Sequence, residues 1–595
     1  MSYSYIEKIK ERMSKEDVRF YSDIWAPVTV AVPDKDAWNS LCVMPNGEIR
    51  FYGFYRKESV FHKNPQRCYI SSLDGGLSWK RHMVEGRFTL GASTYVPYLN
   101  KYVAVRDAGH EGSFVLIGDT PDDQNPMRIM FCEDSCGEVR MVFPMRSRNR
   151  VIIVCAEKRP ALHPTAFFAV LYYADGDLRH WTKVTLDPVP FYEPPEGKKG
   201  VRWQQNNREN TIEEMADGRL VMLARTSMDY HYISYSEDGG ETWTKAVPSV
   251  FHGTGTMPLL KRLCDGRLVF LWCNTRLLPE RDDADGVWED VFTNRDANHI
   301  AISGDEGLTW SGYREIALNP HRNAADFRSL GGPEEGRDKS VHQFEVLELP
   351  YGKLMVAYGH HYACRRIVIM DLGWLYETSR HENFIHGLEA ISSQGYVKSV
   401  LGCYRGTPED PLAYVGHCAY NRINSAMMLP DPVNEGKEVL HICRTDDPRL
   451  VSNVGGAVWN FPIAKRGSLT VKLHVSGDGL RLSLLDHWVN PCDEEIKQIS
   501  DFTAVVTSAI QEDKIFYTRV RIDFDCDANV IEVYVNDKFL SKAKLKGAHP
   551  NGLCYLHMQS ASGLTDLKGA LVSEISFEAR NDEKESGDGE PEKEI

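Results

Sequence analysis

A glutamate and an arginine on either side of a predicted hairpin turn are the residues best placed to do chemistry. Glu209 lies nine residues before Gly218, and Arg225 lies seven residues after it. A hairpin would bring the two side chains to the same face, close together. A guanidinium offers a planar fork that suits a carboxylate, and it would hold a neighbouring glutamate ionised. The pair therefore predicts a site for an acidic ligand; an exposed Glu–Arg pair on adjacent strands is the structural alternative.

One short pattern occurs three times and indicates which elements must position this pair. It reads S-x-D-x-G-x-[ST]-W, and the copies are residues 72–79, 236–243 and 303–310; residues 174–181 form a degenerate copy. Ser and Asp side chains close tight turns by bonding to nearby backbone N–H groups, and Gly allows a positive φ. Three copies, each leading out of a β-rich run, predict a repeated unit of β-sheet.

This pattern is the Asp-box, and through it the chain resembles the sialidase superfamily of β-propellers. The resemblance implies an all-β fold whose first domain is a six-bladed propeller, with seven blades as the alternative. Four predicted hairpin turns between apolar strands would join the first and second strands of blades, at Gly47, Gly218, Gly266 and Gly352. Each Asp-box would join the third and fourth strands. The early strand over residues 28–32 would complete blade six and close the ring.

The repeated pattern of the sequence ends after Leu375, and a second β-rich region is predicted beyond it. Clean alternation over 469–475 and 519–524 is typical of half-buried strands, and the region looks like a concanavalin or laminin-G type β-sandwich. Such sandwiches bind sugars, or they pack against a catalytic domain or build an oligomer, and both interpretations stay open. The predicted boundaries are an N-terminal extension (1–20), the catalytic propeller (21–380), a linker (381–396), the sandwich (397–580) and a disordered acidic tail (581–595).

The resemblance to sialidases also assigns roles to single residues. In that family a glutamate supports the nucleophile, and an arginine sixteen residues further on belongs to a triad that clamps the substrate carboxylate. Glu209 and Arg225 match this spacing and these residue types. Arg295, eight residues before Ser303, matches the third arginine of the triad, with Arg276 as the alternative.

Three family positions carry other residues in this chain. The first-blade arginine is missing, and Arg56 at the end of the next strand is the substitute considered. Gln343 stands where the family has its nucleophilic tyrosine, and Glu58 is the single carboxyl group in the loop that carries the family's general-acid aspartate. Without the tyrosine, we expect either an intermediate on Glu209 or direct attack by water, assisted by Glu209 or His342.

Further side chains are predicted to face the same funnel from other blades. His342 and His360 of blade six could do acid–base work near neutral pH. Asp107 of blade two is the predicted proton donor, with Glu157 of blade three behind it. The catalytic candidates are therefore Glu209, His342 and Asp107, and the substrate-binding candidates are Arg225, Arg295, Arg276, Gln343, His360 and Arg56. A metal held by His342, His360 and a carboxylate has no spacing to mark it, so we predict no metal and no cofactor.

Composition and charge limit the kinds of partner and the cellular compartment that we expect for this protein. The net charge of −15 argues against binding of nucleic acid, and no apolar run is long enough to span a bilayer. The polar N-terminus has no secretory h-region, and the 14 cysteines include no C-x-x-C pair. We expect a reduced, cytoplasmic protein without a membrane partner, with a homodimer through the sandwich as the assembly considered.

The favoured function is a glycoside hydrolase of the sialidase-like class that acts on a terminal acidic sugar of short glycans. Arg225 and a second arginine would hold the sugar carboxylate, and carboxyl groups would share the hydrolysis. The second hypothesis is a propeller-type polysaccharide lyase, in which histidine handles the proton next to a uronic-acid carboxylate. The third is a carbohydrate-binding protein without turnover. Fold alone does not choose among them.

Overall fold

β-strands make up most of the described chain in this computed structural model. The structure describes residues 4–33, 41–55, 66–83, 90–164, 166–193, 196, 206–253, 255–276, 295–320, 322–323, 341–359, 364–397, 421–448, 450, 452–507 and 515–580. Two helices, α1 (Ser4–Arg12) and α2 (Lys15–Asp23), precede the first strand. A reciprocal capping box starts α2, because Ser14 and Asp17 each accept the other's backbone N–H, at 3.1 and 2.8 Å.

The N-terminal strands fall into six consecutive units, defined here by their strands. After β1 (Val28–Ala31), unit 1 has β2 (Leu41–Val43), β3 (Ile49–Tyr55), β4 (Gln66–Ser72) and β5 (Lys80–Met83). Unit 2 has β6 (Thr94–Val96), β7 (Lys101–Asp107), β8 (Ser113–Gly118) and β9 (Met127–Cys132). Unit 3 has β10 (Glu138–Pro144), β11 (Arg150–Lys158), β12 (Phe167–Asp175) and β13 (Thr182–Thr185).

The next three units follow the same pattern. Unit 4 has β14 (Asn206–Glu214), β15 (Leu220–Thr226), β16 (Tyr230–Ser236) and β17 (Val247–His252). Unit 5 has β18 (Leu259–Arg262), β19 (Leu268–Trp272), β20 (Ala297–Ser303) and β21 (Ser311–Leu318). Unit 6 has β22 (Phe344–Leu349), β23 (Lys353–Tyr358) and β24 (Arg366–Asp371), and β1 pairs antiparallel with β24 as its fourth strand, as the sequence predicted.

Within each unit the strands pair antiparallel in chain order, so each unit is a meander of four strands. Units 3 and 4 are also joined into one sheet, because Phe168 of β12 pairs in parallel with Asn206 of β14. The glycines predicted to sit in the first hairpin turns all have a positive φ: Gly47 (83°), Gly218 (87°), Gly266 (93°) and Gly352 (70°). These are left-handed conformations that glycine adopts without steric cost.

The Asp-boxes form closed turns between the third and fourth strands of their units. In the copy of unit 4, Ser236 Oγ accepts the Gly240 N–H and donates to Asp238, both at 2.8 Å. Asp238 Oδ1 accepts the Thr242 N–H at 2.9 Å, and Trp243 Nε1 donates to the Gly240 carbonyl at 3.1 Å. The pattern therefore closes its own turn with local bonds, and the tryptophan folds back onto it.

The degenerate box of unit 3 keeps the part of this geometry that positions the tryptophan. Trp181 Nε1 donates to the Leu178 carbonyl at 2.7 Å, the bond that joins tryptophan and glycine in the complete boxes. Leu178 takes the glycine position with a φ of 59° and is fully buried. The sequence-based interpretation of residues 174–181 as a degenerate copy is confirmed by this bond.

Neighbouring units share hydrophobic cores all along the series. Separate buried clusters join units 1 and 2, 2 and 3, 3 and 4, 4 and 5, and 5 and 6. A further cluster joins unit 6 back to unit 1, with Phe51 of β3 beside Ile367 of β24, and it includes Ile9 of α1 and Tyr21 of α2. The first strands of units 2 to 6 contact one another in order, and β22 also contacts β2.

The C-terminal region consists of two larger sheets and one small one. Its strands are β25 (Ser379–Glu382), β26 (Ile391–Ser392), β27 (Gln394–Val397), β28 (Asn421–Asn424), β29 (Ala426–Pro430), β30 (Glu438–Arg444), β31 (Gly456–Ala464), β32 (Arg466–Val475), β33 (Leu480–Leu485), β34 (Phe502–Val506), β35 (Thr518–Asp525), β36 (Val530–Val535), β37 (Lys538–Ala543), β38 (Leu553–Ser560) and β39 (Asp566–Ala579), with the short helix α3 (Ile496–Ile499). An eight-stranded sheet has the order β29-β30-β39-β32-β35-β36-β37, with β25 on β39; a five-stranded sheet has the order β26-β31-β38-β33-β34. Their buried side chains form one shared core.

The C-terminal sheets pack directly against units 4 and 5. Trp488 and Tyr555 belong to the same buried cluster as Phe270 and Trp272 of β19. The Trp488 N–H donates to the Asn274 carbonyl, and the Arg276 N–H donates to the Trp488 carbonyl, both at 2.9 Å. This ladder of backbone bonds fixes the segment after β33 against the end of β19.

Within the part of the chain that the structure describes, the 12 cysteines are all free thiols, and no helix is long and apolar enough to cross a membrane. Three 3₁₀ turns lie at Gly109–Glu111, Pro350–Gly352 and Leu372–Tyr376.

The Asp-box of unit 4 gives a direct test of its structural role. Asp238→Ala removes the acceptor for the Thr242 and Glu241 N–H groups, so we expect a loss of about 1–2 kcal/mol, as for lost capping side chains. Thermal unfolding followed by circular dichroism should show a midpoint lower by about 2–4 °C. The exposed neighbour Glu237 provides the matched control, Glu237→Ala, whose midpoint should stay at the wild-type value. Equal midpoints for the two variants would contradict a stabilising role for the turn.

Candidate functional site

Glu209 and Arg225 lie opposite each other at the open end of the β14–β15 hairpin and form a buried ion pair. Only 7% of Glu209 and 2% of Arg225 are exposed. Arg225 Nη1 donates to Glu209 Oε2 in a close contact. The prediction that the hairpin brings these two side chains together is therefore confirmed, and the exposed surface pair considered as the alternative is wrong.

The backbone of β14 departs from a regular strand where it carries this pair. Its register with β15 shifts on both sides of Arg208, and Asn207 and Glu209 have positive φ angles of 62° and 53°. Non-glycine residues adopt this left-handed region at an energetic cost, and such residues cluster at functional sites. Gln343 has the same feature, with a φ of 67°, at the start of the first strand of unit 6.

The charges around Glu209 hold it ionised despite its burial. Burial alone would raise its pKa, but the positive charges of Arg225, Arg208 and Arg140 lower it to about 2. The pKa of Arg225 is lowered to about 10, mainly by burial and also by the like charges of Arg295 and Arg208, with Glu209 opposing the shift. One buried carboxylate thus sits among several guanidinium groups.

Arg295 and His342 form the next part of the same cluster. Both are 1% exposed, and Arg295 Nη1 lies 3.0 Å from His342 Nε2. Since a guanidinium can only donate, His342 Nε2 accepts, and the imidazole carries its proton on Nδ1. Arg295 also donates to the Gly255 carbonyl at 3.1 Å, and the Gly359 N–H donates to the His342 carbonyl at 2.9 Å. Arg295 is close enough to Arg225 for their charges to interact.

Glu138 at the start of β10 is a site residue that the sequence analysis missed. It accepts a hydrogen bond from Arg208 Nε at 2.8 Å and a second, closer one from Arg208 Nη2. Its carboxyl group lies close enough to that of Glu209 for the two to interact. Burial and the Glu209 charge raise the pKa of Glu138, against the opposing effect of Arg208. The pKa values of the two carboxyl groups are therefore shifted in opposite directions.

A sequence signal for Glu138 exists in the register of the repeat. Glu138 lies seven residues before Met145, whose N–H closes the first turn of unit 3, and Glu209 lies six residues before the equivalent Met215. The missing turn glycine in unit 3 hides this correspondence. Only the structure shows that the extra residue is absorbed by the irregular register between Val139 and Met141 of β10.

Arg140 and Glu345 extend the cluster toward unit 6. Arg140 Nη1 lies 3.9 Å from Glu345 Oε1 on β22. Burial raises the pKa of Glu345 to about 7, although the charges of Arg140 and Lys261 act in the opposite direction. Glu345, like Glu138, was absent from the predicted site. Both lie on the first strands of their units, where the sequence analysis had also placed Gln343 and Glu209.

The other predicted site residues have different surroundings. Gln343 is 8% exposed and directly follows His342. Asp107 lies at the end of β7, where Ser113 donates to Oδ1 at 3.0 Å and Ser135 donates to Oδ2 at 2.5 Å. Asp107 thus holds the loops of unit 2 together, and no contact of the described residues places it at the Glu209 carboxylate.

Arg276 is not part of this cluster either. Its backbone binds Trp488, and its side chain lies near His487 and Asp493 of the C-terminal region. Glu157 pairs with Arg159 at 3.1 Å and Lys183 at 2.7 Å. Two predicted substrate-binding residues, His360 and Arg56, lie outside the described residues, as does Glu58.

The described cluster offers a defined chemistry. It combines a buried carboxylate whose pKa is lowered (Glu209), a second carboxyl group whose pKa is raised (Glu138) and the guanidinium groups of Arg208, Arg225 and Arg295. Two carboxyl groups with separated pKa values are the usual basis of acid–base catalysis, and neighbouring guanidinium groups are suited to bind an anionic ligand.

Comparison with known proteins identifies the family of the chain. A model of the BNR repeat-like domain matches residues 22–357 of the 595, more than half of the chain. The chain therefore belongs to this family, and its recognition from the Asp-boxes as a sialidase-like protein is confirmed. Comparison with curated proteins finds no match in sequence.

Solved structures similar to this one include sialidases. A Trypanosoma rangeli sialidase mutant that displays trans-sialidase activity is 11% identical, with 93% of this chain and 94% of that chain covered and a TM-score of 0.35. Trypanosoma rangeli sialidase in complex with the inhibitor DANA is 12% identical, with 91% of each chain covered and a TM-score of 0.35. A protein of unknown function from Dyadobacter fermentans is 14% identical, with 58% of this chain and 97% of that chain covered and a TM-score of 0.37.

The raised pKa of Glu345 predicts a pH-dependent cost to stability. With a folded pKa of about 7 against an ordinary value of 4.5, the folded protein binds a proton here that the unfolded chain releases. The associated stability is complete below pH 4.5 and is lost as pH rises through 7. We expect Glu345→Gln to remove this loss. The thermal midpoint of the variant should therefore rise relative to that of the wild type as the pH is raised from 5 to 8. The exposed Glu237→Gln serves as control, and a pH-independent difference between wild type and Glu345→Gln would contradict the assignment.

Proposed function

We propose that units 1 to 6 form a six-bladed β-propeller whose first strands surround a central funnel. Two observations support this architecture: six hydrophobic clusters join the units in series, including unit 6 to unit 1, and β1 completes unit 6 from the far end of the chain. In such a ring the starts of β10, β14 and β22 face a common mouth. Glu138, Glu209 and Glu345 stand at or next to those starts.

We further propose that the protein is a glycoside hydrolase of the sialidase-like class, exo-acting on a terminal acidic sugar such as sialic acid. The observation that carries this proposal is the convergence of guanidinium groups from different units on the buried Glu209 carboxylate. Arg225 pairs with it, the positive charges of Arg208 and Arg140 act on it, and Arg295 is close enough to Arg225 for their charges to interact. Such an excess of buried positive charge favours an anionic ligand.

Arg225 and Arg295 are the proposed clamp for the sugar carboxylate. Guanidinium forks bind carboxylates in a bidentate manner, and desolvated forks gain more from the contact than exposed ones. The like charges that lower the pKa of Arg225 are relieved when a further anion enters. His342, whose Nε2 accepts from Arg295, is a positioning residue for that arginine rather than a proton donor through the same nitrogen.

Glu209 and Glu138 are the proposed pair for the hydrolysis. Glycoside hydrolysis commonly uses one carboxylate and one carboxylic acid about 5 Å or more apart, so the two groups, which lie close together here, would separate when the sugar enters between them. Glu209 is ionised and acts as nucleophile or as base toward water, while Glu138 carries the proton for the leaving group. Glu138 takes the role that the sequence analysis gave to Asp107, because both oxygens of Asp107 are engaged by serine hydroxyls.

A lyase is the second candidate, because one feature of the cluster favours it. In a lyase, Arg295 would neutralise the uronic-acid carboxylate, and His342 Nε2 would take the neighbouring proton once the substrate displaces it from Arg295. A third candidate is sugar binding without turnover. It uses the same arginines and gives the two glutamates no catalytic role.

The C-terminal sheets have a proposed role as well. We infer a concanavalin-like sandwich that binds glycans or joins two chains, since its two sheets share one core and pack against units 4 and 5. A cytoplasmic location, a homodimer and the absence of nucleic-acid or membrane partners stay predictions from the sequence.

Turnover assays on a panel of sialosides and uronic-acid oligosaccharides test the proposed function. We expect release of a free acidic sugar, and a kcat lower by roughly 10²–10⁴-fold in Glu209→Gln and in Glu138→Gln. Arg225→Lys should raise KM about tenfold or more, because a bidentate, charged contact is lost. Product release is measured by chromatography, and unsaturated product by ultraviolet absorbance.

Arg219→Lys is the matched control, because Arg219 lies on the same hairpin at the opposite, exposed end, paired with Asp217. It should keep wild-type kcat and KM. If an ultraviolet-absorbing, unsaturated product forms and its formation requires His342, the protein is a lyase and the hydrolase proposal is wrong. If the protein binds sugar without releasing product, and Glu209→Gln binds it equally well, the non-catalytic candidate is the one supported.

A further inference from the structure

A second group of titratable side chains lies away from the candidate site, where unit 4 meets the C-terminal sheets. His252 is the last residue of β17. Asp486 and His487 directly follow β33, and His549 precedes β38. None of them belongs to the Glu209 cluster, so an inference from this group does not rest on the proposed function.

The group is compact and mostly buried. One ligand atom from each of His252, Asp486 and His487 can be chosen so that all lie within 4.8 Å of one another. His252 Nε2 lies 3.3 Å from Asp486 Oδ1, and His549 Nδ1 lies 3.7 Å from Asp486 Oδ2. The His252 and His487 rings are stacked with centroids 3.7 Å apart. The side chains of His487 and His549 are 6% and 5% exposed.

Two of the imidazoles have a buried ring nitrogen without a hydrogen-bond partner among the described residues. His487 Nδ1 lies 2.6 Å from Asp486 Oδ1 and donates to it, which leaves Nε2 as the lone-pair nitrogen. That Nε2 is buried and has no hydrogen-bond partner among the residues that the structure describes. His549 Nε2 donates to the Lys546 carbonyl at 2.8 Å, and its Nδ1 faces Asp486 Oδ2 at 3.7 Å.

Buried lone pairs without a donor are costly, and a cation removes the cost. Tetrahedral Zn²⁺ with bonds of about 2.0–2.2 Å holds its ligand atoms roughly 3.3–3.6 Å apart, which agrees with the separation of His252 Nε2 and Asp486 Oδ1. The ligand set is rich in imidazole, with one carboxylate and no thiolate, which suits Zn²⁺ or a related transition metal better than Ca²⁺ or Mg²⁺.

We propose that His252, Asp486 and His487 bind a divalent transition-metal ion of the zinc class, with His549 as the fourth ligand. The ion would join β17 of unit 4 to the segment after β33 and to the segment before β38. Such a site fastens the N-terminal units to the C-terminal sheets. The backbone bonds between Trp488 and the end of β19 already fix one side of it.

Metal analysis of the full-length protein tests the proposal. After treatment with a chelator and dialysis against Zn²⁺, we expect one ion per chain more in the wild type than in the variant His252→Gln/His487→Gln. The difference is decisive, because any Zn²⁺ taken up by the free cysteines is the same in both proteins. The control, His381→Gln, alters an exposed histidine on β25 that pairs with Glu574, and should bind as much Zn²⁺ as the wild type.

Two further measurements keep the test independent of variant stability. Co²⁺ added to the chelated wild type should give the visible absorption of a tetrahedral nitrogen–oxygen site, without the near-ultraviolet band of a cobalt–thiolate bond. Zn²⁺ should raise the thermal midpoint of the wild type and leave that of the folded double variant unchanged. Equal Zn²⁺ content in wild type and double variant, or a cobalt–thiolate spectrum alone, would overturn the proposal and leave the group as a hydrogen-bonded junction.

Discussion

The Glu209–Arg225 ion pair is the interaction on which the candidate site depends. Removing the Glu209 charge would leave the buried Arg225 without its anionic partner, and unpaired buried charges are strongly destabilising. The pair is also not neutral in its surroundings, since Arg208, Arg140 and Arg295 add positive charge around a single ionised carboxylate. Glu138 accepts hydrogen bonds from Arg208 and so fixes that guanidinium beside the pair. The same electrostatic balance therefore stabilises the fold and defines what kind of ligand can enter.

The backbone contributes as much to this arrangement as the charges do. Regular strands alternate their side chains between two faces, so consecutive residues cannot all face one site. Left-handed conformations at Asn207 and Glu209, together with the register shifts of β14, break that alternation where the site residues lie. Gln343 repeats the feature at the start of unit 6, next to His342. Their conformational cost is borne by the well-packed strands that follow, whose side chains fill the cores between units.

Much of the fold was predictable because its determinants are local. An Asp-box closes its own turn with bonds between residues at most four positions apart, so three copies in the sequence mark three strand pairs. The turn glycines mark the first hairpins for the same reason, and β1 was correctly assigned to the last unit. The degenerate box was harder, since Leu178 replaces the glycine and keeps its left-handed φ. Sequence spacing also brought Glu209 and Arg225 together, because one hairpin connects them.

The sequence by itself determined the repeat, the family and the one site pair that lies within a single hairpin. The tertiary structure decided which residues from other units join that pair, since these contacts span 47 to 70 positions and depend on how whole sheets pack. It placed Glu138 beside Glu209, and it placed Arg276 against the C-terminal sheets and Asp107 in a hydrogen-bonded loop of unit 2. It also brought His252 to within 3.3 Å of Asp486, more than two hundred positions away. Local patterns predict turns and strands. The electrostatic environment of a buried group depends on residues that are distant in sequence, and short patterns do not predict those.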